Sequence, residues 1–295
     1  HNPNGTFIVD YGEAVDLKYC RPIFFHRHEG KFSVQLKDNE ETIKVSGKSG
    51  VKINSTNRPK KLISSLQKSL DFYTLARSPQ YKADGKTPDL NSYQASMLEW
   101  GIAKLDELKY RLPNAGGLVI APNIPVAEHM ASILEILTKQ KPILVHSKKS
   151  NSDDLIEAYR NSKKDWIVSV AMVSEGVDIK RLRLLVYLPN SQTELFFRQA
   201  MGRVVRSLGD EDDSRAYVVM PAFKTFENYA RRVESEMKPV HLKEDLFPKT
   251  KKCPSCNKEC KIKATECDYC GFDFEKQYKK KKKKCSFCGF ENEMN

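Results

Sequence analysis

Gly117-Leu118-Val119-Ile120-Ala121-Pro122-Asn123 decides the fold class. Leu118 to Ala121 is apolar at every position and has the length of a strand covered on both faces. Asn123 can cap a following helix whose apolar face is Val126, Met130, Ile133, Leu134 and Leu137. Further strands are expected at Ile143-Leu144-Val145, Trp166 to Val170, Leu182 to Leu188 and Ala216 to Met220. Between them, Ser152 is placed to cap one helix, and Ser191-Gln192-Thr193-Glu194 has the capping-box pattern of another. This alternation predicts an α/β fold with a parallel sheet and helices on both faces. Ligands of such sheets gather at the carboxyl ends of strands, which singles out the loops after Ala121, Val145 and Val170.

Upstream the pattern is less regular. Residues 1–60 read as lead-in strands, with Ile23-Phe24-Phe25 and the alternating Phe32, Val34 and Leu36 forming a hairpin about His28-Glu29-Gly30. Residues 61–115 read as a helical connector. Ile63, Leu66, Leu70 and Tyr73 share one helical face, residues 77–92 form a loop, and Leu98, Ile102, Leu105 and Leu108 mark a second helix running to about Leu112. Residues 116–245 then form the main lobe.

The chain of 295 residues carries a net charge of +12, which points to a polyanionic partner. Residues 249–295 hold 13 Lys against 7 Asp and Glu, and seven of the eight cysteines. Paired C-x-x-C cysteines without an export signal suggest metal ligands in a reducing, cytoplasmic compartment. Cys20 reads as a small buried hydrophobe. No apolar run approaches the roughly 20 residues of a membrane helix. The opening His1-Asn2-Pro3, without methionine, suggests a processed product or a fragment.

The segment richest in chemistry is Gln199-Ala200-Met201-Gly202-Arg203-Val204-Val205-Arg206. On a helix Gln199, Gly202, Arg203 and Arg206 would share one face, with Phe196, Phe197, Ala200, Met201 and Val204 on the buried side. Two arginines and a glutamine around a glycine suit phosphate oxygens. A merely basic, exposed helix face is the bland alternative. At the exit of a strand upstream stands Ser169-Val170-Ala171-Met172-Val173-Ser174-Glu175-Gly176-Val177-Asp178-Ile179.

These two segments, in this order, resemble motifs V and VI of superfamily 2 DEAD/DEAH-type helicases of bacterial type, and Gly117 to Asn123 resembles motif IV. Tyr11-Gly12-Glu13-Ala14 and Arg21-Pro22 match a segment that this family places ahead of its second lobe. The resemblance covers roughly residues 8–222 and implies a RecA-like C-terminal motor lobe. It implies that Arg203 and Arg206 are arginine fingers, that Gln199 and Gly202 serve the nucleotide, and that Asp178 contacts ribose while Gly176 lets the backbone approach. Asp178 as a simple strand cap is the alternative. The loops at Pro122-Asn123, His146-Ser147 and Met172-Val173-Ser174 would face the nucleic-acid backbone, with DNA favoured over RNA. Val170 and Ala171 stand where the family often has Thr or Asn, so phosphate contacts there would rest on backbone amides or Ser174.

A P-loop and Mg²⁺-binding carboxylates belong to the first lobe of such motors, and neither is found. Gly47-Lys48-Ser49 lacks the required glycine at position 42, which is Thr, and Asp106-Glu107 falls mid-helix. ATP and Mg²⁺ would therefore bind only together with an N-terminal lobe, and this chain alone would be inactive. A non-enzymatic nucleic-acid adaptor and a motor subunit of a restriction or defence nuclease are the competing classes.

Cys253-Pro254-Ser255-Cys256 and Cys267-Asp268-Tyr269-Cys270-Gly271 form a C-x₂-C-x₁₀-C-x₂-C pattern. Two such knuckles offer the tetrahedral thiolate set that suits structural Zn²⁺, and residues 249–275 resemble a zinc ribbon. Cys260 is a spare thiol or a substitute ligand. Residues 276–295 join Lys279 to Lys284, a solvated linker with possible phosphate attraction, to a third knuckle, Cys285-Ser286-Phe287-Cys288.

Overall fold

In the computed structural model, residues 9–35, 42–46, 50–51, 71–148, 151–170, 179–209, 212–238, 241, 250–261, 264–274, 282–284 and 291–293 are described. The chain divides into two units, His1–Glu244 and Asp245–Asn295. The first unit opens with Tyr11–Asp16 (α1), Ile23–His28 (β1), Lys31–Gln35 (β2), Thr42–Ser46 (β3) and Gly50–Val51 (β4). Phe72–Ala76 (α2) and the long Tyr93–Arg111 (α3) follow. Then the strands and helices alternate as Gly116–Ala121 (β5), Ile124–Thr138 (α4), Ile143–Val145 (β6), Ser152–Asn161 (α5), Trp166–Val170 (β7), Leu182–Tyr187 (β8), Glu194–Met201 (α6), Ala216–Pro221 (β9) and Lys224–Glu236 (α7).

Six strands form one sheet in the order β1-β9-β8-β5-β7-β6, and every pairing is parallel. β5, β8 and β9 are buried at every residue, as their unbroken apolar runs require in a sheet covered on both sides. Gly101 of α3 sits so close to the sheet that a Cβ there would stand 3.1 Å from Val186 Cγ2 and 3.4 Å from Leu184 Cδ2. The next residue of β8, Tyr187, meets Phe197 of α6 and Phe226 of α7, with ring centroids 5.4 and 5.3 Å away. Neighbouring β8 residues thus face different helices, which sets α3 on one side of the sheet and α6 with α7 on the other. The expected α/β architecture is present and is RecA-like in its six-stranded parallel sheet.

The hairpin expected about Gly30 is not formed. β1 pairs in parallel with β9, from Ile23 opposite Ala216 to His28 opposite Pro221, whereas β2 joins β3 and β4 in a separate antiparallel sheet. A hairpin would have left the wholly buried β9 as an open sheet edge. Instead β1 covers it, and Phe25 stacks on Phe197 at 5.8 Å. Two caps also shift. Asn123 Oδ1 accepts from the Val126 amide at 3.0 Å as expected. The cap of α6, however, is Thr193 rather than Ser191, and Ser152 begins α5 with its hydroxyl donating to the His146 carbonyl. The helical face proposed for Ile63, Leu66 and Leu70 and the Gly47-Lys48-Ser49 segment lie outside the described residues. Asp106 and Glu107 do lie within α3.

In the second unit Thr250–Lys252 (β10) pairs antiparallel with Glu259–Lys261 (β11), and Lys282–Lys284 (β12) with Glu291–Glu293 (β13). The second pairing sets Lys282 opposite Glu293 and Lys284 opposite Glu291 in backbone register, so part of the lysine run is a strand.

Candidate functional site

Strand register brings the first group of candidate residues together. Ala121 lies opposite Val170, and Val145 lies opposite Ser169. The loops after β5, β7 and β6 therefore leave three adjacent strands at one level. Pro122 is half-buried, and Asn123 and Ser147 are exposed. Asn123 spends its Oδ1 on the helix cap, leaving its amide group for other partners. His146 is buried, and its Nδ1 finds no hydrogen-bond partner among the described residues. Met172, Val173, Ser174, Gly176 and Asp178 lie outside the described residues.

The arginine segment departs from the single helical face that its spacing suggests. α6 is anchored by Phe197, which is fully buried among Phe25, Tyr187, Phe226 and Tyr229. Arg198 ties it to α7 through Glu236, with Nη2 to Oε1 at 2.6 Å. The helix ends at Met201, and Gly202 is its C-cap. Arg203 stands in the turn beyond, its amide donating to the Ala200 carbonyl at 3.1 Å. Arg206 lies further on, in an isolated antiparallel bridge with Cys20. Gln199 is exposed on the last helical turn, while Arg203 and Arg206 are half-buried. Ala200, Met201, Val204 and Val205 are buried beneath them, and Phe196 is half-buried. A Cβ on Gly202 would meet only backbone of Arg198 and Gln199, the nearest atom being the Gln199 oxygen at 3.3 Å. Its chain neighbours aside, no other described residue comes nearer than 4 Å to that position.

Behind this turn lies a buried charged knot. The Arg21 side chain is 1% exposed and that of Asp212 4%. Arg21 Nε donates to Asp212 Oδ2 at 2.8 Å, and Nη1 and Nη2 donate to the carbonyls of Val204 and Lys180 at 3.0 and 3.2 Å. Asp212 also accepts from the Leu208 amide and from Ser214, and Arg183 stands 3.6 Å away. Burial alone would raise the Asp212 carboxyl, but the Ser214 hydroxyl, Arg21 and the Leu208 amide hold it down at about 2. Burial and the neighbouring Arg21 charge lower Arg183 to about 10. Cys20 is half-buried rather than buried, and desolvation raises its thiol. Sequence reasoning flagged Arg21-Pro22 without a role and missed Asp212, since their pairing spans 191 residues.

In the second unit the Sγ atoms of Cys253, Cys256, Cys267 and Cys270 all lie within 4.8 Å of one another. Cys253 stands 3.6 Å from Cys270, and Cys256 3.6 Å from Cys267. A tetrahedral Zn²⁺ with Zn–S near 2.3 Å needs sulfurs about 3.8 Å apart, so the cluster has the dimensions of such a site. Each knuckle closes on a backbone bond, Asn257 N–H to the Cys253 carbonyl and Gly271 N–H to that of Cys267, both 2.9 Å. Asn257 and Gly271 both take the left-handed conformation, which Gly271 adopts at no steric cost. Burial opposes ionisation of Cys267, but the Tyr269 and Cys270 amides outweigh it and bring the thiol to about 6. Cys260 is buried 3.4 Å from Cys267. Cys285 and Cys288 lie outside the described residues. The residues present fit a four-thiolate metal.

Residues 103–207 match the family described as helicase conserved C-terminal domain. An uncharacterized protein of Mycobacterium tuberculosis is 41% identical over 104 residues, covering 35% of this chain and 17% of that protein. One of Mycobacterium leprae is 34% identical over 137 residues, covering 46% and 23%. The chain thus spans less than a quarter of the length of these curated relatives. Among solved structures, the Pyrococcus furiosus Hef helicase domain aligns at 15% identity and a TM-score of 0.34, over 60% of this chain and 32% of that one. Within the α/β lobe, residues 103–207 thus carry the match to the helicase conserved C-terminal domain.

Proposed function

We propose that this chain is the second lobe of a two-lobed, ATP-driven nucleic-acid motor, extended by a zinc-binding tail. The observation that carries the proposal is the open turn at Gly202, with exposed Gln199 before it and Arg203 and Arg206 after it, braced from beneath by a buried ion pair. Arg203 and Arg206 act as arginine fingers on the γ-phosphate of a nucleotide held mainly by the first lobe, and Gln199, Gly202, Gly176 and Asp178 complete the nucleotide side. Asp178 hydrogen-bonds ribose. Pro122, Asn123, His146, Ser147, Met172, Val173 and Ser174 belong to the opposite, strand-end side, where they meet the backbone of nucleic acid, DNA before RNA. The motor lobe spans residues 116–245, preceded by lead-in residues 1–60 that pack on it and a connector at 61–115, and followed in sequence by the ribbon 249–275 and the basic segment 276–295. Cys253, Cys256, Cys267 and Cys270 hold one Zn²⁺, which supplies folding energy rather than catalysis. The protein works in the cytoplasm, where its thiols stay reduced.

Without the first lobe the chain hydrolyses no ATP. In the two-lobe protein, Arg203→Ala or Arg206→Ala lowers kcat by on the order of 10³-fold, because finger contacts strengthen as charge redistributes in the transition state. Neutral residues in place of Lys279 to Lys284 weaken nucleic-acid binding and flatten its salt dependence, with kcat at saturation nearly unchanged. The test pairs saturated ATPase rates with binding constants across salt. Arginine variants that lost affinity yet kept full turnover would overturn the motor reading in favour of a binding adaptor.

A further inference from the structure

Arg21 lies about eighty residues before the matched helicase segment, yet its bonds converge on the stretch of that segment that holds the two arginines. Two residues lie between Arg203 and Arg206, and Arg21 holds the carbonyls of both, Val204 and Val205. Its Nη1 donates to Val204 O at 3.0 Å, and its own backbone amide donates to Val205 O at 2.6 Å. The same guanidinium reaches the carbonyls of Lys180 and Leu182, at 3.2 and 3.4 Å, just past Asp178. Its fixed orientation comes from Asp212, which also accepts from the Leu208 amide at 2.8 Å. Chain pairing adds to the hold, through the Cys20–Arg206 bridge and the Ser207 amide donating to the Tyr19 carbonyl.

From this arrangement we infer that Arg21, oriented by Asp212, is a positioning residue that fixes the peptide backbone between the two finger arginines and couples it to the segment leaving motif V. Val204 and Val205 lie past the end of α6, in a turn that is buried, so their carbonyls need donors from elsewhere, and Arg21 supplies them. A planar guanidinium with five donors serves several separate acceptors at once, which a lysine ammonium on its flexible stem does not. Burial makes the hold stiff, since Leu182, Val204 and Val205 are buried and their carbonyls have no water as a ready substitute partner. The placement of Arg203 and Arg206 thus depends on a residue outside the motif that contains them. The functional half of this inference rests on the finger reading above, whereas the clamp itself does not.

The test has two arms. In the 295-residue chain, hydrogen exchange is compared for the native protein, Arg21→Ala, Arg21→Lys and Asp212→Asn. Exchange should rise by about tenfold or more at residues 203–208 and 179–183 in Arg21→Ala, with β5 and β7 unchanged. Arg21→Lys and Asp212→Asn should give intermediate effects at the same residues, and they serve if Arg21→Ala fails to fold. Unaltered exchange at 203–208, or an increase spread evenly over the lobe, would overturn the clamp. In the two-lobe protein, the same variants should lower kcat by up to on the order of 10²-fold while KM for ATP stays near native, as expected when catalytic groups are misplaced rather than removed. Loosened exchange with undiminished kcat would overturn the positioning role. A native two-lobe protein without ATPase activity would instead refute the proposed function, leaving the exchange arm to decide the clamp.

Discussion

Replacing Gly202 by alanine separates a glycine kept for folding from one kept for close approach. Its backbone, at φ −53° and ψ −18°, is right-handed helical, so alanine adopts it without strain. Alanine gains up to about 1 kcal/mol over glycine in a helix, and the gain is smaller at a cap. Against that, the new Cβ would stand 3.3 Å from the Gln199 oxygen and 3.5 Å from that of Arg198, a squeeze relieved by a few tenths of an ångström. The two effects nearly cancel, leaving a net change within about 1 kcal/mol, or a Tm shift of at most about 4 °C. Its two chain neighbours aside, no other described residue comes nearer than 4 Å to that Cβ, so the methyl meets none of the described packing of the lobe. If a nucleotide or the first lobe approaches there, the methyl displaces it, and a displacement near 1 Å can cost on the order of 10²-fold in rate. The assays are thermal unfolding of the chain and steady-state ATPase of the two-lobe protein. The expected result is an unchanged Tm with a kcat lowered at least about tenfold. A large fall in Tm would show that the glycine serves the fold. Native Tm with native kcat would show that nothing approaches it.

Phe197→Ala should destabilise the first unit by about 3–5 kcal/mol in chemical denaturation, since the ring is fully buried among four aromatic neighbours. A loss below about 1 kcal/mol would contradict that anchoring role. Because the Asp212 carboxyl is held near 2 in the folded state, its contribution to stability is complete above its unfolded value of about 4. It is lost as pH falls through about 2. The stability gap between native protein and Asp212→Asn should therefore narrow across that acid window, and a gap independent of pH would refute the assignment. Chelation of the metal should abolish the folded structure of the second unit while the first unit keeps its Tm, and freshly purified protein without zinc or iron would contradict the Cys₄ site.

The strands β5, β8 and β9 are legible in the sequence because both faces of each are covered, and burial on both faces forces apolar runs. The cysteine cluster is legible for a different reason. Each knuckle is local, so spacing alone brings two thiols together, and two knuckles suffice. β1 defeats that kind of reading. Ile23-Phe24-Phe25 has the same pattern whether it folds onto the adjacent Phe32 or crosses to Ala216, and its partner lies almost two hundred residues away. Similarly, the spacing of Gln199, Gly202, Arg203 and Arg206 fits a helix, and only Gly202, a residue suited to helix ends, hints that the helix stops there. Arg21 and Asp212 carry no local signal at all, since each looks like a surface charge until the fold brings them together.

That last pair explains why the matched segment, residues 103–207, is smaller than the structural unit its chemistry requires. β1 precedes the match and β9 follows it, yet they pair with each other and close one side of the sheet. Phe25 from β1 and Phe226 from α7 complete the pocket that holds Phe197, and with it the helix that leads to the arginines. Glu236 of α7 holds Arg198 on that same helix. Arg21 and Asp212, from before and after the match, fix the peptides between Arg203 and Arg206 from beneath. Removal of either flank would leave one member of a buried ion pair without its partner, a change that typically costs about 3–5 kcal/mol. An exposed strand edge beside β8 or β9 would add to the damage. The matched segment therefore supplies the arginines proposed as fingers, and the flanks supply the packing that fixes the turn carrying them.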